Sequence, residues 1–235
     1  MVNQRIGCDN YMQSFEAMPF RESTSRLFQT LSIEKREKIF NAAAREFAEN
    51  GYRKASVNSI VRDAGISKGS LFQYFTTKRN LFDGLVRIAS DQVKEYLKSV
   101  RDETREVEFF ARLDRLIRAG FQFIDDRPTL SRIYFQLLQS GDSPFGTERI
   151  VELRRRGEGF LQDLMVEAQQ NGELRADLDL EKLSFILYSI LETMLRSYYL
   201  DHLSGPRGIY QGDPETLDAW IATVVDFVRN GLTNR

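Results

Sequence analysis

Apolar residues recur along this chain at intervals of three and four rather than two, nearly from end to end, which predicts an all-α fold. The first clear segment opens at Ser32, a suitable N-cap, carries Phe40, Ala43, Ala44 and Phe47 on one stripe, and stops at Asn50-Gly51. A second runs from Ser56 to Asp63. After Ala64-Gly65-Ile66, Ser67 caps a third that reaches only to about Phe75, and Thr77 caps a fourth that continues to about Val100. Three short helices thus precede a long one.

The later segments are longer. Phe109, Phe110, Leu113, Leu116, Ile117, Gly120, Phe121 and Ile124 form a stripe of about five turns, closed by Asp125-Asp126-Arg127-Pro128. Thr129 to Gln139 reads as a shorter helix before the turn Ser140–Pro144. Ile150, Leu153, Gly157, Phe160, Leu161, Leu164, Met165 and Ala168 then mark another helix, ended by Asn171-Gly172. The segment from Asp179 to Leu203 is apolar on two faces, so one face serves its own domain and the other meets a second subunit. Asp213-Pro214, a cap followed by an N1 proline, opens the last helix, with Leu217, Trp220, Ile221, Val224 and Val228 inward.

With 235 residues and 42% hydrophobic content the chain can bury a full core. Its 33 basic and 34 acidic side chains nearly cancel, yet residues 31–80 hold ten basic against five acidic, net +5, which leaves the remainder at net −6. Positive charge therefore coincides with the three short helices. A single cysteine, Cys8, excludes an intramolecular disulfide framework, and a single histidine, His202, speaks against histidine catalysis or a zinc site. No Gly-rich phosphate loop or metal-ligand spacing is present, so neither an enzyme nor a cofactor is expected. The longest uncharged apolar stretch, 183–191, falls short of the roughly 20 residues of a membrane span. Arg5, Asp9 and Glu16 do not read as a secretory signal, so a cytoplasmic location is expected.

Ser56 to Phe75 reads SVNSIVRDAGISKGSLFQYF, and the positions suit a helix-turn-helix. Val57, Ile60 and Val61 form the inner side of its first helix, Ala64 permits close approach, Gly65 takes the left-handed turn and Ile66 fills the angle. Leu71 and Phe75 hold the second helix down, leaving Lys68, Ser70, Gln73 and Tyr74 for a major groove about 12 Å wide. Taken singly, Lys68, Lys78 and Arg79 read as ordinary solvated charges, and Phe72 and Tyr74 as core aromatics. Their common placement on the motif makes them candidates.

Gly51-Tyr52, Ala55-Ser56-Val57, Ile60, Ala64 to Leu71, Tyr74-Phe75 and Lys78 resemble the N-terminal signature of the TetR family of bacterial regulators, over roughly residues 33–82. The resemblance implies an N-terminal DNA-binding domain over 31–78, a helical effector-binding and dimerisation domain over 79–235, and an extension over 1–30. It implies DNA contacts from Ser56, Ser67, Lys68, Gly69, Ser70, Phe72, Gln73, Tyr74 and Lys78, with Ser56 and Lys78 at phosphates. Lys68, Ser70 and Gln73 are the candidates for base contact. Phe72 replaces a tyrosine usual in the family, so one phosphate bond is expected to be missing.

The expected function is a homodimeric repressor, paired through its last two long helices, that binds a palindromic operator and is released by a small-molecule effector. The alternative is a nucleoid or cell-division factor of the same fold with a protein partner. Candidate pocket residues are Phe109, Phe121, Tyr134, Phe135, Tyr188, Glu192, Met194 and Trp220. Glu192 is either the partner of a cation such as Arg196 or a polar anchor for a ligand, Arg154-Arg155-Arg156 reads as a solvated face, and His202 as a helix-end or surface residue. Residues 1–30 lack periodicity; they read as flexible, as an arm placing Arg21 and Arg26 in a minor groove, or as a helix extended through Leu27, Phe28 and Leu31.

Overall fold

A computed structural model describes residues 25–138 and 144–233; Cys8, Arg21 and the expected turn at 140–143 lie outside the described residues. The regular structure described is helical throughout: α1 (Arg26–Gln29), α2 (Ile33–Lys54), α3 (Val57–Ala64), α4 (Lys68–Tyr74), α5 (Lys78–Glu103), α6 (Phe109–Asp126), α7 (Pro128–Leu138), α8 (Gly146–Gln170), α9 (Leu180–Tyr199), α10 (Asp201–Ser204), a 3-10 turn over Gly205–Arg207, and α11 (Pro214–Leu232).

The helix starts follow from capping chemistry. Ser32, Ser56, Ser67, Asp179 and Asp213 each accept a bond from the N–H three residues on, at Lys35, Ser59, Ser70, Lys182 and Thr216, and Thr77 does the same for Asn80. Two ends depart from expectation. Gly51, at φ 68° and ψ 172°, kinks α2 instead of ending it, and one more turn follows to Lys54. The segment expected to run to Leu203 breaks at Leu200, which is extended (φ −116°, ψ 108°), and α10 starts afresh. Leu200 and Leu203 keep an apolar rhythm across the break, so periodicity alone conceals it.

Two compact units divide the chain. One comprises the described residues through Lys94 together with Asp126–Thr147; the other comprises Glu95–Asp125 and the described residues from Glu148 onward. Compactness therefore does not divide the chain at 78/79, because α5 is continuous through that point.

The first unit is built on phenylalanines. Phe28 lies edge-on to Phe40 at 5.3 Å and against Phe75 at 4.8 Å, while Phe47, Tyr52 and Phe82 form a second group with ring separations of 4.9–6.2 Å. Phe28 is fully buried, which anchors the short helix Arg26–Gln29 on the head. The apolar content of Leu27-Phe28 outweighs the absence of periodicity before it.

The second unit buries the predicted α6 stripe, with Leu161, Leu164 and Met165 of α8, Leu187 and Met194 of α9, and Ile221, Val224 and Val228 of α11. Leu217 and Trp220 are only half-buried. Gly157 of α8 is required by a close approach: a Cβ there would collide with the Tyr188 ring.

Candidate nucleic-acid interface

The helix-turn-helix is set by short-range devices acting in sequence. Ile60 and Ala64 bury one side of α3. Gly65 takes the left-handed conformation (φ 68°, ψ 33°), its N–H bonds to the Arg62 carbonyl, and the Ile66 N–H bonds to that of Val61, so the chain turns at once into the Ser67 cap of α4. The start of α3 is also anchored from α2: Glu46 Oε1 accepts from the Ser56 N–H at 2.7 Å and from Asn50 Nδ2 at 3.0 Å. Nothing in the sequence singles out this carboxylate, because a separation of ten residues marks no pairing.

On α4, Lys68, Gly69, Phe72 and Gln73 are exposed, Ser70 and Tyr74 are half-buried, and Leu71 is buried with Phe75 just beyond. At 3.6 residues per turn the four exposed positions occupy one continuous arc of about 140°, with Phe72 and Gly69 in its middle and Lys68 and Gln73 at its edges. Ser70 and Tyr74 fall on the flank. Ser70 Oγ is 2.8 Å from Ser67 Oγ, and the Tyr74 ring lies 5.8 Å from Phe28, whose neighbour Ser25 bonds its N–H to the Tyr74 carbonyl. Tyr74 is thus held on its inner side by α1, while Ser70 is engaged by the cap residue Ser67. Phe72, which the sequence marks only by the hydroxyl it lacks, sits at the centre of what α4 presents.

Lys78 and Ser56 are also engaged within the head. The Lys78 ammonium donates to the Ala55 carbonyl at 2.7 Å and the Arg53 carbonyl at 3.2 Å, and lies 4.9 Å from the centre of the Tyr52 ring. It caps the end of α2 and ties it to the start of α5. Ser56 Oγ accepts from Ser59 N–H.

The candidate pocket residues are divided between the two units. Tyr134 and Phe135, with rings 5.9 Å apart, fall in the first unit, whereas Phe109, Phe121, Tyr188, Glu192, Met194 and Trp220 fall in the second. Phe109 packs on Phe110, Phe121 on Tyr198, and Met194 is buried; Trp220 Nε1 donates to the Arg207 carbonyl at 3.3 Å. Glu192 pairs with Arg154, and more distantly with Arg196 at 3.9 Å, while the Arg154 guanidinium also lies over the Tyr188 ring. Arg154 is thus withdrawn from the solvated face expected for residues 154–156, whereas Arg155, Arg156 and His202 are exposed.

Residues 39–85, which contain the helix-turn-helix and Lys78, match the family model described as bacterial regulatory proteins, tetR family. This segment is of the TetR type. Beyond the matched segment, the transcriptional regulator YdgC of Bacillus subtilis is 25% identical over 181 residues, covering 75% of this chain and 87% of that protein. The transcriptional repressor KstR2 of Mycobacterium tuberculosis is 28% identical over 147 residues, covering 63% and 72%. A solved TetR-family regulator from Chloroflexus aurantiacus superposes with a TM-score of 0.67 at 26% identity, covering 90% of this chain and 99% of that one. The chain is accordingly a DNA-binding transcriptional regulator. No helix among the described residues is long and apolar enough to cross a membrane.

Proposed function

We propose that this regulator is a cytoplasmic homodimeric repressor that reads a palindromic operator through α4 and leaves it when a small-molecule effector binds within residues 79–235. The observation that carries the DNA-reading part is the exposed arc of α4, set in a segment, 31–80, whose basic side chains outnumber the acidic ones two to one. Residues 31–78 form the DNA-binding part on this reading. Lys68 and Gln73 reach base edges and Gly69 permits close approach. Ser56, Ser67, Ser70 and Tyr74 border the phosphates, and Lys78 acts mainly by bracing the head.

Pairing is supported by the last two long helices: Phe185 and Ile186 of α9 are 55% and 49% exposed and Phe227 of α11 is 67% exposed. Large apolar side chains left open on two successive helices suit a symmetric interface. Two copies would read half-sites about 34 Å apart, one groove turn. Repression follows KstR2, which is named a transcriptional repressor. Effector control works by linkage: the ligand releases DNA only as far as it prefers the non-binding conformation.

Genomic fragments retained by the purified protein at near-physiological salt test this reading. A palindrome beside the protein's own or a neighbouring gene is the expected result. Broad, salt-labile retention would instead favour a nucleoid-type role through a protein partner.

A further inference from the structure

We propose that Phe72 is a specificity-determining residue that reads the 5-methyl group of a thymine in the operator. The inference rests on the operator-binding reading and adds to it a chemical preference at one base. Phe72 is 39% exposed, and among the described residues no aromatic ring lies against it. It stands one helical turn after Lys68 and beside Gly69, in the middle of the arc that α4 presents.

A phenyl ring has neither donor nor acceptor, so at that position it gains nothing from a phosphate oxygen or from the polar edges of adenine, guanine or cytosine. The apolar feature of the major-groove floor is the thymine methyl, which aromatic side chains cover favourably. Exposing a large ring to water in the free protein is costly; covering it with a methyl in the complex recovers that cost selectively at A·T pairs.

Gly69 supplies the access. A Cβ at this position would meet only Ser67 Oγ, at 3.7 Å, an ordinary contact, and Gly69 does not take the left-handed conformation that favours glycine. The fold does not need a glycine here. What its absent side chain provides is clearance beside Phe72, so that the ring can approach the groove floor.

The test uses the full-length protein and the operator recovered by fragment selection, with each thymine of a half-site replaced in turn by deoxyuridine, which removes the methyl and keeps the pairing. For the natural protein, one position is expected to weaken binding about fourfold, the equivalent of one buried methyl. Phe72→Ala should bind more weakly overall and show no further loss at that position while responding normally at the others. Phe72→Leu, which keeps an apolar tip, retains part of the sensitivity and guards against misfolding of the alanine variant, and melting curves of both should match the parent. Equal deoxyuridine responses for the natural protein and both variants at every thymine would overturn the proposal. If no fragment is retained at all, the operator reading itself fails, a result separate from loss of the methyl effect.

Discussion

The two compact units use arginine and lysine in opposite ways. In the second, cations bridge from one helix to the next: Arg112 with Glu167 at 3.0 Å, Arg154 with Glu192, Arg118 with Asp218, and Arg229 with Glu108 at 2.8 Å. In the head, Lys68 stands exposed on α4, and Lys54 and Arg79 are exposed nearby. The whole chain is nearly neutral, so the difference is one of placement. Where carboxylates match the cations, charge specifies how helices pack; where cations are in excess, it is left for an anionic partner.

Phe28→Ala tests most severely whether α1 belongs to the head. Truncating this fully buried ring should cost about 3–5 kcal/mol in denaturant unfolding, since the surrounding aromatic cluster cannot collapse into the gap. A loss below about 1 kcal/mol would detach residues 25–30 from the core. Next in size is Glu167→Ala, which strands the Arg112 guanidinium, 4% exposed and with Nε and Nη2 already lacking partners among the described residues. A penalty of about 1–2 kcal/mol is expected, below that of a fully buried pair because Glu167 reaches solvent. Arg112→Met, which removes the cation instead, should cost less, and the reverse ranking would refute this account of the pair.

Lys68→Ala sharpens the contrast from the head's side. Stability should be unchanged, while operator affinity falls about tenfold and the salt dependence of binding becomes shallower by about one ion. Unchanged affinity would return Lys68 to the ordinary surface charges. Phe72→Tyr is milder still: its hydroxyl would press on the thymine methyl without a partner, so affinity should fall by up to about 1 kcal/mol, and tighter binding would place the ring at a phosphate instead.

The smallest expected effect concerns the cap of α11. Bonds from the Thr216 N–H hold the Asp213 carboxyl below its ordinary pKa, so its contribution to stability is present above the usual carboxylate range and is lost as pH falls through the lowered folded value. The gap in melting point between the parent and Asp213→Asn should therefore narrow as pH falls through that acid window, and parallel curves would remove the cap's electrostatic role.

The sequence by itself determined the helical class, the N-caps at Ser32, Ser56, Ser67, Asp179 and Asp213, and the helix-turn-helix, because each rests on contacts within about four residues, where identity and spacing suffice. Tertiary structure decided what depends on distant partners. Phe28 joined the head because Phe40 and Phe75 surround it, Tyr74 is half-buried because α1 packs beside it, and Lys78 was claimed by the carbonyls of Arg53 and Ala55. Phe121 makes the same point: an aromatic at helical spacing declares that it will be buried, but the companion it meets there, Tyr198, is fixed only when whole helices pack.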